Sequence, residues 1–157
     1  GPTGSRGVAG TANTGSGGGG GGYDMGGDGG SGVVILKYAT VSKVVADLTL
    51  VSNATTAEAV PTKGDIVMTY TNGAGTASIG DGTNGDIRAF VSRDNGTNYT
   101  QVTLVDEGDT GAHTILTAHD VDISSQPSGT AMRYKITTHN QSSTLDTRIQ
   151  AVSLGWS

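Results

Sequence analysis

The chain has 157 residues, 27 of them glycine, no cysteine, and a formal charge of −5 from 9 basic and 14 acidic side chains. Lacking cysteine, it has no disulfide scaffold, thiolate metal site or cysteine nucleophile; lacking any basic cluster, it offers no face for a phosphate backbone, so no nucleic acid partner is expected. No apolar run approaches the roughly 18 residues that a membrane-spanning helix needs, so membrane insertion is not expected either.

Residues 1–32 are a glycine-rich arm. Residues 1–12 form four Gly-X-Y triplets beginning at Gly1, Gly4, Gly7 and Gly10, and an unbroken glycine run follows from Gly17 to Gly22. Glycine brings no side chain to bury and loses the most backbone entropy on ordering, so this arm cannot build a globular core. Two states fit it: a flexible linker, or an extended three-residue-per-turn helix packed against copies of itself, as in a collagen-like triple winding. Ser16, Tyr23, Asp24, Met25 and Asp28 interrupt the glycines, which also leaves room for a short packed or looped segment. Gly1 is not a Met, so the chain reads as a fragment or processed product.

Residues 33–157 are the right size for one domain with its own core. Val33–Tyr38 is rich in branched and aromatic side chains and predicts a strand. Val44–Val51 alternates as a strand, although Val41, Val44, Val45 and Leu48 also fit a helix. Further strands are predicted at Asp65–Tyr70, Asp86–Ser92, Tyr99–Val105, His113–Ala118, Ala131–Thr138 and Thr147–Trp156. In Ala131–Thr138, Met132, Tyr134 and Ile136 alternate with Arg133, Lys135 and Thr137, giving the segment two faces. Val152, Leu154 and Trp156 share a face, so the last strand should end inside a sheet. Asn72-Gly73, Asn84-Gly85 and Asn95-Gly96 are dipeptides suited to tight hairpins; Asp106–Asp109 and Gln126–Gly129 read as longer turns. The resulting fold class is all-β: an antiparallel β-sandwich or jelly-roll head after an extended glycine-rich arm.

Little in the chain suggests catalysis. Four N-x-S/T sequons, starting at Asn53, Asn95, Asn98 and Asn140, are what a Thr/Asn-rich composition produces. His113, His119 and His139, near Asp109, Asp120 and Asp122, lack ligand spacing and read as strand-end or surface residues. Asp81, Asp86 and the Asp106–Asp109 turn would offer oxygens to calcium, but without an EF-hand spacing they read as turn caps. No nucleophile elbow, zinc-protease motif or phosphate loop is found. No enzyme activity, metal or cofactor is therefore expected.

Ser92-Arg93-Asp94-Asn95-Gly96-Thr97-Asn98-Tyr99 resembles an Asp-box, the hairpin seen in sialidases and many extracellular β proteins. The aspartate accepts turn N–H groups, the glycine takes the left-handed position and the aromatic packs beneath. In those families the motif is structural. It argues for a hairpin.

Two longer stretches carry a second resemblance. Asn13–Gly17, followed by Gly29-Gly30-Ser31-Gly32-Val33-Val34-Ile35-Leu36-Lys37-Tyr38, resembles the glycine-rich domain of bacteriophage tail-fibre proteins. Asp86–Asp94, Gln126–Thr130 and Val152–Trp156 are similar to the C-terminal β-domain of fibre-like proteins from marine phages. The resemblance implies a trimeric fibre or appendage on a virion surface, with other fibre proteins as neighbours and a host-surface glycan or protein as receptor. It carries over no binding residue. The exposed tips expected to make contact are Thr71–Gly75, Gly80–Gly85 and Val105–Gly111, with Asn72, Asn84, Tyr99 and Asp109 as candidate residues. The rival expectation is a monomeric carbohydrate-binding module of a secreted bacterial protein on a glycine linker.

Overall fold

A computed structural model describes residues 4–22, 25–37 and 43–157, which leaves Tyr23, Asp24, Tyr38 and the first triplet outside the described residues. The chain divides into two compact units, Gly1–Val41 and Ser42–Ser157. The division falls later than the expected boundary after Gly32.

In the first unit, backbone hydrogen bonds join three stretches, roughly 6–12, 16–22 and 25–31. The Gly7 and Gly10 N–H groups donate to the carbonyls of Met25 and Asp28 (3.2 and 2.8 Å), so the first and third stretches run parallel. Gly27 and Gly30 donate to Gly19 and Ser16 (2.8 and 2.7 Å), which makes the second and third antiparallel. Gly19 in turn donates to Val8 at 2.8 Å. Asn13 and Gly15, at φ 63° and 68°, turn the chain between the first two stretches, and the Thr14 hydroxyl donates to the Thr11 carbonyl at 2.7 Å. The close neighbours of Gly7 and Gly10, which a triple winding would place in other chains, belong to the same chain: a Cβ on Gly7 would meet the Gly19 carbonyl, and one on Gly10 the Ser16 carbonyl.

The second unit is all-β and, among the described residues, without helix. Its strands are β1 (Thr49–Val51), β2 (Thr55–Thr56), β3 (Lys63–Ala74), β4 (Ile87–Ser92), β5 (Thr100–Gln101), β6 (Val105–Thr110), β7 (His113–Asp122), β8 (Ala131–Thr138) and β9 (Asp146–Trp156). One antiparallel sheet has the order β1-β8-β4-β5, with β2 also on β8; the other has the order β6-β7-β3-β9. The alternation of β3 and β8 decides the core, since inward positions hold Ile66, Met68, Tyr70, Met132 and Ile136, all buried. Ile87, Ala89 and Val91 of β4 and Leu116 and Ala118 of β7 join them, so a single buried cluster draws on both sheets.

Several expected elements move. Residues 33–37 form no strand and are exposed, despite their β-forming composition. In the Val44–Val51 segment only Thr49–Val51 is a strand, and Tyr99–Val105 divides between β5 and β6. Asn72-Gly73 lies within β3, because β9 pairs with it as far as Ala74; the bend follows at Gly75, at φ 65°. Asp106–Asp109 lies in β6 rather than in a turn, and the β6–β7 hairpin closes through Gly111-Ala112, between the paired Thr110 and His113. Positive φ at Gly111 (69°) but not Ala112 fits the II′ geometry that a two-residue hairpin requires. Asn95 and Gly96 adopt positive φ (62° and 82°), as the Asp-box pattern anticipates.

Candidate functional site

The four tip residues proposed for receptor contact are all engaged within the chain. Asn72 Oδ1 accepts the Ala77 N–H at 2.9 Å. Asn84 donates through its backbone and its Nδ2 to the two Asp81 oxygens, each at 2.9 Å. Asp109 accepts the Thr114 hydroxyl across the β6–β7 pair at 2.7 Å. The Tyr99 ring lies under the Lys135 ammonium, 4.4 Å from the ring centroid, and the same ammonium stands 4.3 Å from that of Phe90. One aromatic face of Tyr99 is therefore covered. Asn72 and Asp109 both belong to the surroundings of the buried Tyr70 hydroxyl, whose pKa is raised chiefly by burial. Asn84 and Tyr99 stand on other segments, so the four residues do not form one site.

The acidic and histidine candidates are likewise dispersed. Among the described residues, no group of three or more His, Cys, Asp or Glu is placed to hold a metal ion. Asp81 is held at about 2, first by the Thr83 hydroxyl and then by the Thr83 and Asn84 N–H groups. Asp86 is lowered by hydrogen bonds from Asn140 and Ser78 against the cost of its burial. Glu107 accepts the Thr117 hydroxyl at 2.9 Å, and Asp106 accepts the Gly108 N–H at 2.7 Å. His119 pairs with Asp65 at 3.3 Å, and Asp120 with Lys63 at 2.9 Å. His139 Nε2 contacts the Thr137 hydroxyl at 2.9 Å. His113 opens β7 on the other side of the β6–β7 hairpin turn.

A concave site lies instead where β9 ends. Thr56, Glu58, Val60, Pro61 and Trp156 line a groove of about 470 Å³, a size that ligand pockets commonly have. Its floor is set by the sheet: Trp156 pairs with Gly64, and Ser157 exchanges backbone bonds with Lys63. Its wall is held by Arg93, a buried residue that follows β4. The Arg93 guanidinium donates to the carbonyls of Pro61 (2.7 Å), Ser124 (2.7 Å), Pro127 (3.2 Å) and Gln126. Ala57 is anchored through its N–H to the Thr130 carbonyl at 2.8 Å. The groove combines the half-buried Trp156 indole, the exposed Glu58 carboxylate and the hydroxyls of Thr56 and Ser157, a set suited to a ring with one apolar face and several hydroxyls.

The sequence places Trp156 on one strand face with Val152 and Leu154 and does not single out residues 56–61. The available signal was that Trp156 is the only tryptophan in the chain. Comparison with protein-family models, with curated proteins and with solved structures yields no match to this chain. The class that the structure defines is an all-β, two-sheet antiparallel unit accompanied by a separate glycine-rich unit.

Proposed function

We propose that this chain is a structural and adhesive subunit of a virion fibre or appendage, working as a homo-oligomer, expected to be a trimer, on the outside of the particle. The observation that carries the reading is the glycine unit. Its inter-stretch donors fall at Gly7 and Gly10, and again at Gly27 and Gly30, three residues apart. That period matches a polyproline-II helix, which has no internal hydrogen bonds and so leaves its N–H groups to water or, as here, to a neighbouring stretch. A Cβ on Gly18, Gly27 or Gly30 would collide with backbone of a neighbouring stretch, so glycine is required there for packing. A linker has no such requirement. A self-packed glycine bundle is a stiff spacer without an apolar core, which suits an appendage.

We read the two sheets as the layers of a β-sandwich of jelly-roll type, supported by the buried cluster that both contribute to. Its exposed tips and the Trp156 groove would contact a host-surface glycan or protein. Catalysis, a metal and a cofactor have no part in this reading. Light scattering tests it. The full chain is expected at three times 15.7 kDa, and a mass of 15.7 kDa would overturn the oligomeric fibre.

The groove also favours the second reading, a monomeric carbohydrate-binding module of a secreted bacterial protein. Because Trp156 is the sole tryptophan, its fluorescence reports directly on the groove. A saturable change on titration with oligosaccharides, from a chain of monomeric mass, would move the assignment to that module.

A further inference from the structure

Among the described residues, two elements are left open to strand pairing, and each has what the other lacks. The first is residues 33–37. Val33, Val34, Ile35 and Leu36 are 59%, 88%, 83% and 86% exposed, four consecutive apolar side chains in water. They are the strongest β-forming run in the sequence, yet among the described residues they belong to no strand.

The second is the outer edge of β9. This strand is 11 residues long and borders only β3. Its two charged residues, Asp146 and Arg148, lie at its start and pair with each other at 3.1 Å. From Ile149 to Trp156 there is no charge, proline or acidic guard. The other edges are blunted in the ways that folded sheets use. β1 has three residues and β5 two. β6 carries Asp106, Glu107 and Asp109, with a bulge between Asp106 and Gly108. β9 alone is long and uncharged beyond Arg148; a bulge at Gln150, between the pairings of Ile149 and Ala151 with Tyr70 and Thr69, leaves Ala151–Trp156 as its regular open stretch.

The core is also left partly uncovered at this edge. Leu154 and Val152 lie beside Ile66 and Met68 of β3, which are 0% and 1% exposed. Yet Ile149, Val152, Leu154 and Trp156 pack against the core only half-buried. One more strand with branched apolar side chains would cover them and satisfy the free backbone groups.

We propose that Val33–Lys37 of one copy adds as a strand to the β9 edge of a second copy. The inference rests on the fibre reading above and deepens it by naming the contact that joins the copies. The donor and acceptor surfaces differ, so the contact is heterologous and closes into a ring when each copy both gives and receives a strand. A cyclic trimer is one such ring.

The test uses two variants of the full chain, each altered only at exposed side chains. Val34→Asp with Ile35→Asp places a charge on both faces of the donor. Ala151→Lys with Ser153→Lys guards the acceptor edge. Each alone is expected to fall from the wild-type oligomer to 15.7 kDa with an unchanged thermal midpoint. Mixing the two restores association, because the lysine-edge chain keeps an intact donor and the aspartate chain an intact edge. An oligomeric wild type whose mass neither variant alters overturns the strand exchange and leaves the fibre reading standing. A monomeric wild type overturns both.

Discussion

Arg93 and Gln126 hold each other through both main chain and side chain. The Arg93 N–H donates to Gln126 Oε1 at 2.9 Å, while the Arg93 guanidinium donates to the Gln126 carbonyl. Gln126 Nε2 then returns to the Val91 carbonyl at 2.8 Å and the Thr100 hydroxyl at 2.8 Å. This pair ties the Asp-box strand, the 123–130 loop and the wall of the Trp156 groove into one polar knot.

Arg93→Lys is therefore not conservative. A lysine ammonium is a point donor and cannot reach carbonyls on four residues at once. It would leave buried acceptors unpaired, and the expected loss is about 2–4 kcal/mol in urea unfolding. Trp156 fluorescence should shift to the red as the groove wall loosens. A loss below about 0.5 kcal/mol, the range of ordinary surface changes, would show that the knot is not structural.

The glycine unit makes a paired prediction. A Cβ on Gly10 would meet the Ser16 carbonyl and the Gly30 N–H, whereas one on Gly20 would meet nothing within 4 Å. Gly10→Ala should remove amide-exchange protection at Gly10 and Gly30, at a cost of about 1–3 kcal/mol from overpacking. Gly20→Ala should leave protection unchanged, and it trims the entropy of the unfolded chain by about 0.4–1 kcal/mol. Equal effects of the two substitutions would contradict the packed bundle and restore the linker.

Acid should destabilise the β unit, and the sign follows from its carboxylates. Asp86 is lowered by bonds from Asn140 and Ser78. In Asp94, bonds from Asn98 and Ser92 outweigh the larger opposing effect of burial. Asp146 is lowered first by Lys43 and then, against burial, by Arg148. With folded values below the unfolded value of about 3.9, these groups stabilise the fold fully above pH ~4. That stabilisation is lost as pH falls through the folded values, because the unfolded chain takes up protons first. A thermal midpoint followed from pH 6 to pH 2 should fall most below pH 4, and Asp86→Asn should flatten the fall.

Lys135 couples two half-buried aromatics, Phe90 and Tyr99. Its ammonium sits over both Phe90 and Tyr99, and Phe90 is its cross-strand partner in β4. Lys135→Met should cost about 0.5–1 kcal/mol, while Lys135→Arg, which also stacks on rings, should cost less. A double-mutant cycle with Tyr99→Leu isolates the coupling from simple loss of area. Zero coupling energy would mean that the ammonium is held there by its stem alone.

Where the physics is local, reading the residues sufficed. The alternation of 131–138 and of 152–156 assigned both the strands and the residues that share a face, because a strand's two faces follow from its two-residue period. The Asp-box produced its hairpin for the same reason: Ser92, Asp94 and Asn98 bond within four residues of one another.

What the tertiary structure decided was pairing. Val33–Leu36 has ample β-forming composition yet is not a strand among the described residues, since a strand exists only where another backbone accepts it. Asn72-Gly73 is a turn dipeptide drawn into β3 by the length of β9. The glycine stretches found neighbours in their own chain, a choice that a three-residue repeat leaves open. The groove is the extreme case: Arg93 shapes its wall through carbonyls 31 to 34 residues away in the chain. No local pattern encodes a bond of that span, because only the folded sheets bring its two ends together.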